Sequence, residues 1–187
     1  DRVLLTTQLS EASSVWLVSA AAANDTSQMP SDRNMGIGGL IPAPGGRIIY
    51  TGDEGGSVNL WSMREGGGDR KQLTYDEDTN VQPATSPDGR LVVYVSFRGG
   101  GAHVWRMNAD GSERRQLTFG QYEDWPQVSA DGRWVVYHSE ESLRDGVLKV
   151  PADGSAAPVP LDDAPAKHPA LSPDGKLLGY LSKESQS

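Results

Sequence analysis

Aspartates and histidines are the residues of this 187-residue chain that are best suited to chemistry. Asp88, Asp131 and Asp174 each stand in an S-x-D-G tetrapeptide, and they are 43 residues apart. A catalytic pair of carboxylates would have to converge, whereas equal spacing assigns one aspartate to each structural unit. Asp and Gly in this order also favour tight turns. We therefore interpret the three aspartates as turn residues.

The histidines show no catalytic or metal-binding pattern. His103, His138 and His168 occupy different positions relative to that spacing, and no H-x-x-x-H pair occurs. No serine lies in a G-x-S-x-G motif, which hydrolases use to present their nucleophile. The glycine-rich segment 36–39 lacks the third glycine of a dinucleotide fingerprint, because Ile41 stands there. We predict no catalytic residue, no cofactor and no metal site.

One acidic segment offers an alternative to that prediction. Asp76, Asp78 and Asn80 match the first three ligand positions of a calcium loop. Val81 then stands where the loop needs glycine, and Pro87 stands where it needs glutamate. A calcium or small-ligand site is therefore the weaker hypothesis for this segment.

The spacing of the aspartates belongs to a repeat that runs through the whole chain. The stretch SPDGRLVVYVS at 86–96 returns as SADGRWVVYHS at 129–139 and SPDGKLLGYLS at 172–182. A degenerate copy, APGGRIIYTG, starts at Ala43, and Q-L-T occurs at both 72–74 and 116–118. Each copy contains a turn, an apolar strand such as 91–95, an alternating strand such as 102–107, and a polar strand such as 114–118. No segment shows a helical period, so the fold is all-β.

Four antiparallel strands in about 40 to 45 residues are typical of a β-propeller blade. We predict a single β-propeller domain or fragment over 1–187, with repeats at about 1–36, 37–79, 80–122, 123–166 and a partial repeat at 167–187. This division corresponds to three strands, three complete four-stranded blades and two further strands, which is about four blade-equivalents. Because open blade edges can pair with other chains, self-association is expected.

The repeats resemble the TolB-like, or WD40-like, family of bacterial β-propellers. The resemblance rests on SPDG-R-x-V-x-Y-x-S, then V-W-x-M-N-A-D-G-S, then R-R-Q-L-T at 86–118. It implies blades from a six-bladed ring, a periplasmic or extracytoplasmic location, and a role in binding proteins or in gating substrates. Some relatives of this kind are attached to hydrolases or to bacterial Ser/Thr kinases.

The connections between successive repeats differ most, and they carry the candidate binding residues. They read YDEDTN, FGQYEDW and LDDAPAKH, which combine carboxylates with aromatic and basic side chains. Propeller geometry brings such connections to one face, around the channel mouth. We call this set the rim, and we predict that it binds partners: Asp76, Glu77, Asp78, Tyr122, Glu123, Asp124, Trp125, Asp162, Asp163, Lys167 and His168.

Composition limits the partners. A formal charge of -8 argues against nucleic-acid binding, and no apolar run is long enough to insert into a membrane. An acidic rim favours a protein or a basic peptide. The leading prediction is a non-enzymatic scaffold for protein–protein interaction. The alternative is the sensor or substrate-gating propeller of a larger hydrolase or Ser/Thr kinase whose catalytic domain is absent here.

Overall fold

A computed structural model of the chain describes residues 2–9, 12–19, 26–28, 35–36, 38–141, 144–162 and 165–182. In these ranges every regular element is a β-strand, and none is a helix. The strands are β1 (Arg2–Leu9), β2 (Ala12–Ser19), β3 (Thr26–Gln28), β4 (Leu40–Ala43), β5 (Arg47–Gly52), β6 (Asn59–Arg64), β7 (Lys71–Gln72), β8 (Asn80–Thr85), β9 (Leu91–Ser96), β10 (His103–Asn108), β11 (Arg115–Gln116), β12 (Tyr122–Val128), β13 (Trp134–Glu141), β14 (Arg144–Pro151), β15 (Val159–Pro160), β16 (Ala166–Leu171) and β17 (Leu178–Ser182).

The strands form five antiparallel sheets in which neighbours in sequence are neighbours in space. A three-stranded sheet, β1-β2-β3, is followed by the four-stranded sheets β4-β5-β6-β7, β8-β9-β10-β11 and β12-β13-β14-β15, and then by the pair β16-β17. This is the meander of propeller blades. The predicted all-β fold, with three strands, three complete blades and two more strands, is confirmed.

The chain forms two compact units, residues 1–83 and 84–187. In the first unit the buried core joins the sheet β1-β2-β3 to the sheet β4-β5-β6-β7. Its members are Val15, Met35, Ile48, Tyr50 and Met63, all of which are almost fully buried.

In the second unit the apolar second strand of each blade explains how successive sheets pack. On one face of β13, Val135 and Tyr137 share a buried cluster with Val93 of β9. On its other face, Val136 is buried with residues of β14 and β16. Because side chains alternate between the faces of a strand, a strand covered on both sides must be apolar at every position. This requirement produces the run Val-Val-Tyr in the sequence.

The S-x-D-G turns are held by a repeated hydrogen-bond pattern. Ser129 Oγ donates to Asp131 Oδ1 at 2.6 Å, and the same carboxylate oxygen accepts from the backbone N–H of Arg133 at 3.0 Å. Ser129 Oγ in turn accepts from the N–H of Trp134. The serine hydroxyl, followed by the backbone N–H, holds the pKa of the Asp131 carboxyl below its usual value. The copies at 86–91 and 172–177 make the same contacts, so the predicted turn role of these aspartates is confirmed.

The first copy of the turn lacks this pattern. Ala43 replaces the serine, and Gly45 and Gly46 have φ of 79° and 68°. Two successive residues in the left-handed region require glycine, because other L residues rarely adopt it. The turn is one residue shorter than the later ones, which is why Tyr50 and Tyr94 are 44 residues apart rather than 43.

Candidate functional site

The segment 75–80 in the first unit is organised by buried side-chain amides. Asn59 Nδ2 donates to the carbonyl of Asp76 at 3.0 Å, and Asn80 Nδ2 donates to that of Asp78 at 3.1 Å. The two asparagines also bond to each other, through Asn80 Nδ2 and Asn59 Oδ1 at 3.1 Å. The side chains of Glu77 and Asp78 are exposed. The structure thus anchors this part of the rim through its backbone and leaves these carboxylates at the surface.

Glu123 lies on the inward face of β12, away from the other rim residues. It is 2% exposed, and its Oε2 is 3.0 Å from Nδ1 of His103 on β10. One repeat earlier the same two positions hold Asn59 and Asn80, so the pair His103–Glu123 is the ionisable counterpart of an amide pair. Glu123 therefore links two neighbouring blades.

The opposite face of β12 carries a group of charged side chains. Asp124 Oδ1 lies 2.7 Å from Nδ1 of His138, and Oδ1 of Asp145 lies 2.7 Å from Nε2 of the same ring. The three residues come from adjacent strands β12, β13 and β14, in which Asp124 pairs directly with His138. Only 4% of the His138 side chain is exposed. A buried imidazole thus connects two carboxylates.

Lys167 on β16 completes this group. Its Nζ lies 3.4 Å from Asp145 Oδ2 and 3.9 Å from Glu140 Oε2. The ion pairs link the last sheet to the one before it. We call these residues the His138 cluster: Asp124, His138, Glu140, Asp145 and Lys167.

The environment of the cluster favours its charged forms. Burial lowers the pKa of His138, but the hydrogen bonds to Asp124 and Asp145 outweigh burial and raise the pKa above its usual value. Burial raises the pKa of Asp145, but its hydrogen bond to His138 and the charge of Lys167 leave that pKa lowered. Beside them, burial and the charges of Asp124 and Glu140 raise the pKa of Tyr122.

A strained backbone position recurs in β8, β12 and β16, the first strands of three successive sheets. Gln82, Trp125 and His168 are 43 residues apart, have φ of 52°, 53° and 53°, and each precedes a proline. Positive φ is uncommon for residues other than glycine. In β12 and β16 the pairing register shifts at this position, so each residue forms a β-bulge.

The bulges bring two rim residues of the second unit together at the surface. The rings of Trp125 and His168 have centroids 4.7 Å apart and are tilted by 45°. Trp125 is 43% exposed, and on the same strand Tyr122 is 40% exposed. Phe119, in the connection that precedes β12, is 77% exposed. The rim therefore presents aromatic surface directly beside the His138 cluster.

The last connection contributes less. Asp162 is exposed and accepts a hydrogen bond from the Tyr180 hydroxyl on β17. This bond, first, and the charge of Asp162 raise the pKa of Tyr180. Asp163 lies outside the described residues.

Both ring nitrogens of His138 lie within hydrogen-bonding distance of carboxylates, so neither is free for a further hydrogen bond in this arrangement. In the described ranges no group of three or more His, Asp or Glu residues is arranged to hold a metal ion. The same ranges contain no helix long and apolar enough to cross a membrane.

Three residues of the cluster, His138, Glu140 and Asp145, were not predicted from the sequence. A simple hairpin register does not give this contact, because Asp124 is five residues before the S-A-D-G turn and His138 is six residues after it. The bulge between Asp124 and Gln127 shifts the pairing by one residue and places Asp124 opposite His138. On β14 the residue opposite His138 is Val147, and Asp145, which pairs with Glu140, reaches the ring diagonally.

The comparisons with known proteins agree with this architecture. A model of the TolB β-propeller domain matches residues 1–175, which is almost the whole chain. The chain belongs to the TolB β-propeller family. No curated protein sequence matches it.

TolB structures superpose on the chain over nearly its full length. A protein assigned as TolB from Agrobacterium tumefaciens has a TM-score of 0.82 and 21% identity, and the match covers 100% of this chain and 67% of that one. TolB from Acinetobacter baumannii has a TM-score of 0.81 and 19% identity, over 98% of this chain and 46% of that one. The chain thus spans two thirds of the length of the first relative and less than half of the second. At these identities the likeness shows the TolB fold.

An enzyme is also similar. Dipeptidyl peptidase 4 from Porphyromonas gingivalis has a TM-score of 0.67 and 15% identity, and the match covers 89% of this chain but only 27% of that enzyme. The same fold therefore occurs as one part of a much longer protein.

Proposed function

We propose that this TolB-like propeller is a non-enzymatic scaffold that binds a basic segment of a protein partner through the rim. The observation that carries the proposal is the exposed aromatic surface of Tyr122, Trp125 and His168 beside the carboxylates of the His138 cluster. Aromatic rings attract cations over their faces, and neighbouring carboxylates add charge complementarity.

The position of these residues supports the proposal. Trp125 and His168 lie at the bulges of β12 and β16, and each of these strands is hydrogen-bonded to the next strand of its sheet, so the backbone that presents the rings is held in place. Preorganised aromatic side chains lose little conformational entropy on binding and are frequent hot spots. By family analogy, we also propose an extracytoplasmic location, where the partner would be a secreted or membrane-attached protein.

The proposal is tested with a labelled hexaarginine peptide whose binding is followed by fluorescence anisotropy at low salt. We expect Trp125→Ala to weaken binding about tenfold or more, as truncation of an aromatic hot spot does. Hexaglutamate should not bind.

Trp134→Ala is the matched control. Trp134 lies at the start of β13, at the opposite end of that strand from the residues that pair with the rim, and Lys149 Nζ lies 4.4 Å from its ring centroid. The Trp134→Ala substitution should leave hexaarginine binding unchanged. Equal effects of the two substitutions would mean that the peptide binds the acidic chain without using the rim, and the proposal would be wrong.

A second candidate is the gating or sensor propeller of a larger enzyme. The match to only 27% of a dipeptidyl peptidase favours it, because there the fold accompanies other parts of the enzyme. A hydrolase or kinase domain encoded in the same reading frame would support this candidate. A full-length protein containing only propeller repeats would support the scaffold.

A further inference from the structure

The contacts of His138 require a proton that the proposed binding role does not explain. A neutral imidazole has one N–H and one lone pair, whereas an imidazolium donates from both nitrogens. Each nitrogen of His138 lies 2.7 Å from a carboxylate oxygen. With a neutral ring, one of these contacts would place a lone pair against a carboxylate. The geometry therefore favours a protonated His138 between two carboxylates.

The groups that face His138 come from every strand packed against it. They are Asp124 on β12, Glu140 on β13 itself, Asp145 on β14 and Lys167 on β16, and the Tyr122 hydroxyl on β12, whose pKa is raised, adds no charge. With His138 protonated, the His138 cluster carries a formal charge of −1, and with His138 neutral it carries −2. Loss of the proton makes the cluster more acidic and frees a carboxylate.

The two carboxylates on the ring are held differently. Asp145 is also paired with Lys167, whereas in the described part of the chain His138 is the only side chain hydrogen-bonded to Asp124. Asp124 precedes Trp125, and Lys167 precedes His168. Asp124 and Lys167 of the cluster are thus the chain neighbours of the exposed ring pair, beside which we place the cationic group.

We propose that the rim takes up a cationic group of its partner in exchange for the proton on His138. This inference rests on the function proposed above and adds its regulation. Binding and protonation then compete: the partner lowers the proton affinity of His138, and the proton lowers the affinity for the partner.

The direction of the pH dependence follows from the carboxylates. The hydrogen bonds to Asp124 and Asp145 hold the pKa of His138 above its usual value of 6.5, so the proton is lost only above that pH. Binding of a cation should therefore strengthen as the pH rises from 6 toward 9. His138 acts as a positioning residue, through Asp124, rather than by touching the partner.

The test uses hexaarginine, because guanidinium groups stay charged throughout this pH range and any pH dependence must come from the protein. We expect binding at pH 9 to be about fivefold tighter than at pH 6, as one added unit charge near the bound cation would produce. His138→Gln should remove this dependence.

The double substitution His103→Asn, Glu123→Asn is the control, since it removes another titratable pair and introduces the amides that the preceding repeat carries at those positions. It should keep the pH dependence. Nuclear magnetic resonance titration of the His138 ring in the unmodified chain gives a second readout that does not depend on a folded variant. Hexaarginine should lower the pKa of His138.

The outcomes separate the inference from the function on which it rests. Suppose that Trp125→Ala weakens binding, but that binding is equally strong at pH 6 and pH 9 and the pKa of His138 does not change. These results would overturn the proton exchange and leave the rim function intact. Absence of binding at every pH, or binding insensitive to Trp125→Ala, would overturn both.

Discussion

The pair His103–Glu123 allows a quantitative test of how neighbouring blades are linked. We consider two changes: Glu123→Ala, which leaves His103 without its carboxylate, and the double substitution His103→Asn, Glu123→Asn. The second places in this blade the amide pair that the previous blade carries as Asn59 and Asn80. Both changes remove the charge of Glu123, but only the first leaves a buried polar group unpaired.

The magnitudes follow from burial. Leaving one partner of a buried hydrogen bond unsatisfied costs about 1–3 kcal/mol. The His103 side chain is 14% exposed, so we expect Glu123→Ala to cost about 2 kcal/mol. An amide pair restores a neutral hydrogen bond worth about 1 kcal/mol. The double variant should therefore lie within about 1 kcal/mol of the parent.

The blade that contains His103 can accommodate the introduced asparagines. In the first unit Thr74 Oγ1 donates to Asn59 Oδ1 and accepts from the N–H of Leu60. Thr118 already accepts from the N–H of Val104 in the equivalent way. Its hydroxyl can therefore donate to an asparagine placed at 103.

Urea unfolding at pH 7 measures the free energies, and amide hydrogen exchange in β10 and β12 assigns the loss to the strands that carry the pair. Local exchange is needed because the chain forms two compact units, for which a single unfolding free energy is not guaranteed. If Glu123→Ala costs less than about 1 kcal/mol, or if the double variant is as unstable as the single one, the pair does not link the blades as described.

Two further predictions concern stability. The Tyr137 hydroxyl is fully buried and has no hydrogen-bond partner in the described part of the chain, so Tyr137→Phe should raise the free energy of unfolding by up to about 1 kcal/mol. Tyr180→Phe is the control, because it removes a hydrogen bond and should not stabilise the chain. A thermal melt in which Tyr137→Phe is destabilised would contradict this prediction. The turn aspartates have lowered pKa values, so the stability they contribute is present above the unfolded value of 3.8 and is lost as the pH falls below it. Asp131→Asn should make unfolding in urea less sensitive to acid, and unchanged acid sensitivity would refute that role.

The fold was predictable because its determinants are local in sequence. Each blade repeats a turn with Ser, Asp and Gly and an apolar strand that two neighbouring sheets cover. These patterns recur every 43 or 44 residues, so their spacing gave the number of strands in each sheet. The polar fourth strand is shorter than predicted, Arg115–Gln116, because as the outermost strand it pairs on one side only.

The site was less predictable because its contacts depend on pairing across strands. Asp124 meets His138 through a hairpin register, and Lys167 reaches the cluster from the next sheet. The bulge at Trp125 has no local signature beyond the proline that follows it. Of the residues that the sequence analysis assigned to the rim, Asp124 and Lys167 belong to the His138 cluster, and Trp125 and His168 form the exposed ring pair. Alternation along β12 explains why Glu123 points the other way.

The bulges have a consequence for how such a chain can diversify. At positions 82, 125 and 168 the backbone conformation is the same, but the side chains are Gln, Trp and His. The proline that follows is the same at each position, so the conformation does not depend on one particular side chain. The bulges at 125 and 168 are therefore positions of the second unit where the surface can change while the pairing of the strands is kept. We expect residues without a branched Cβ to be accepted there most readily, because branched residues rarely adopt positive φ.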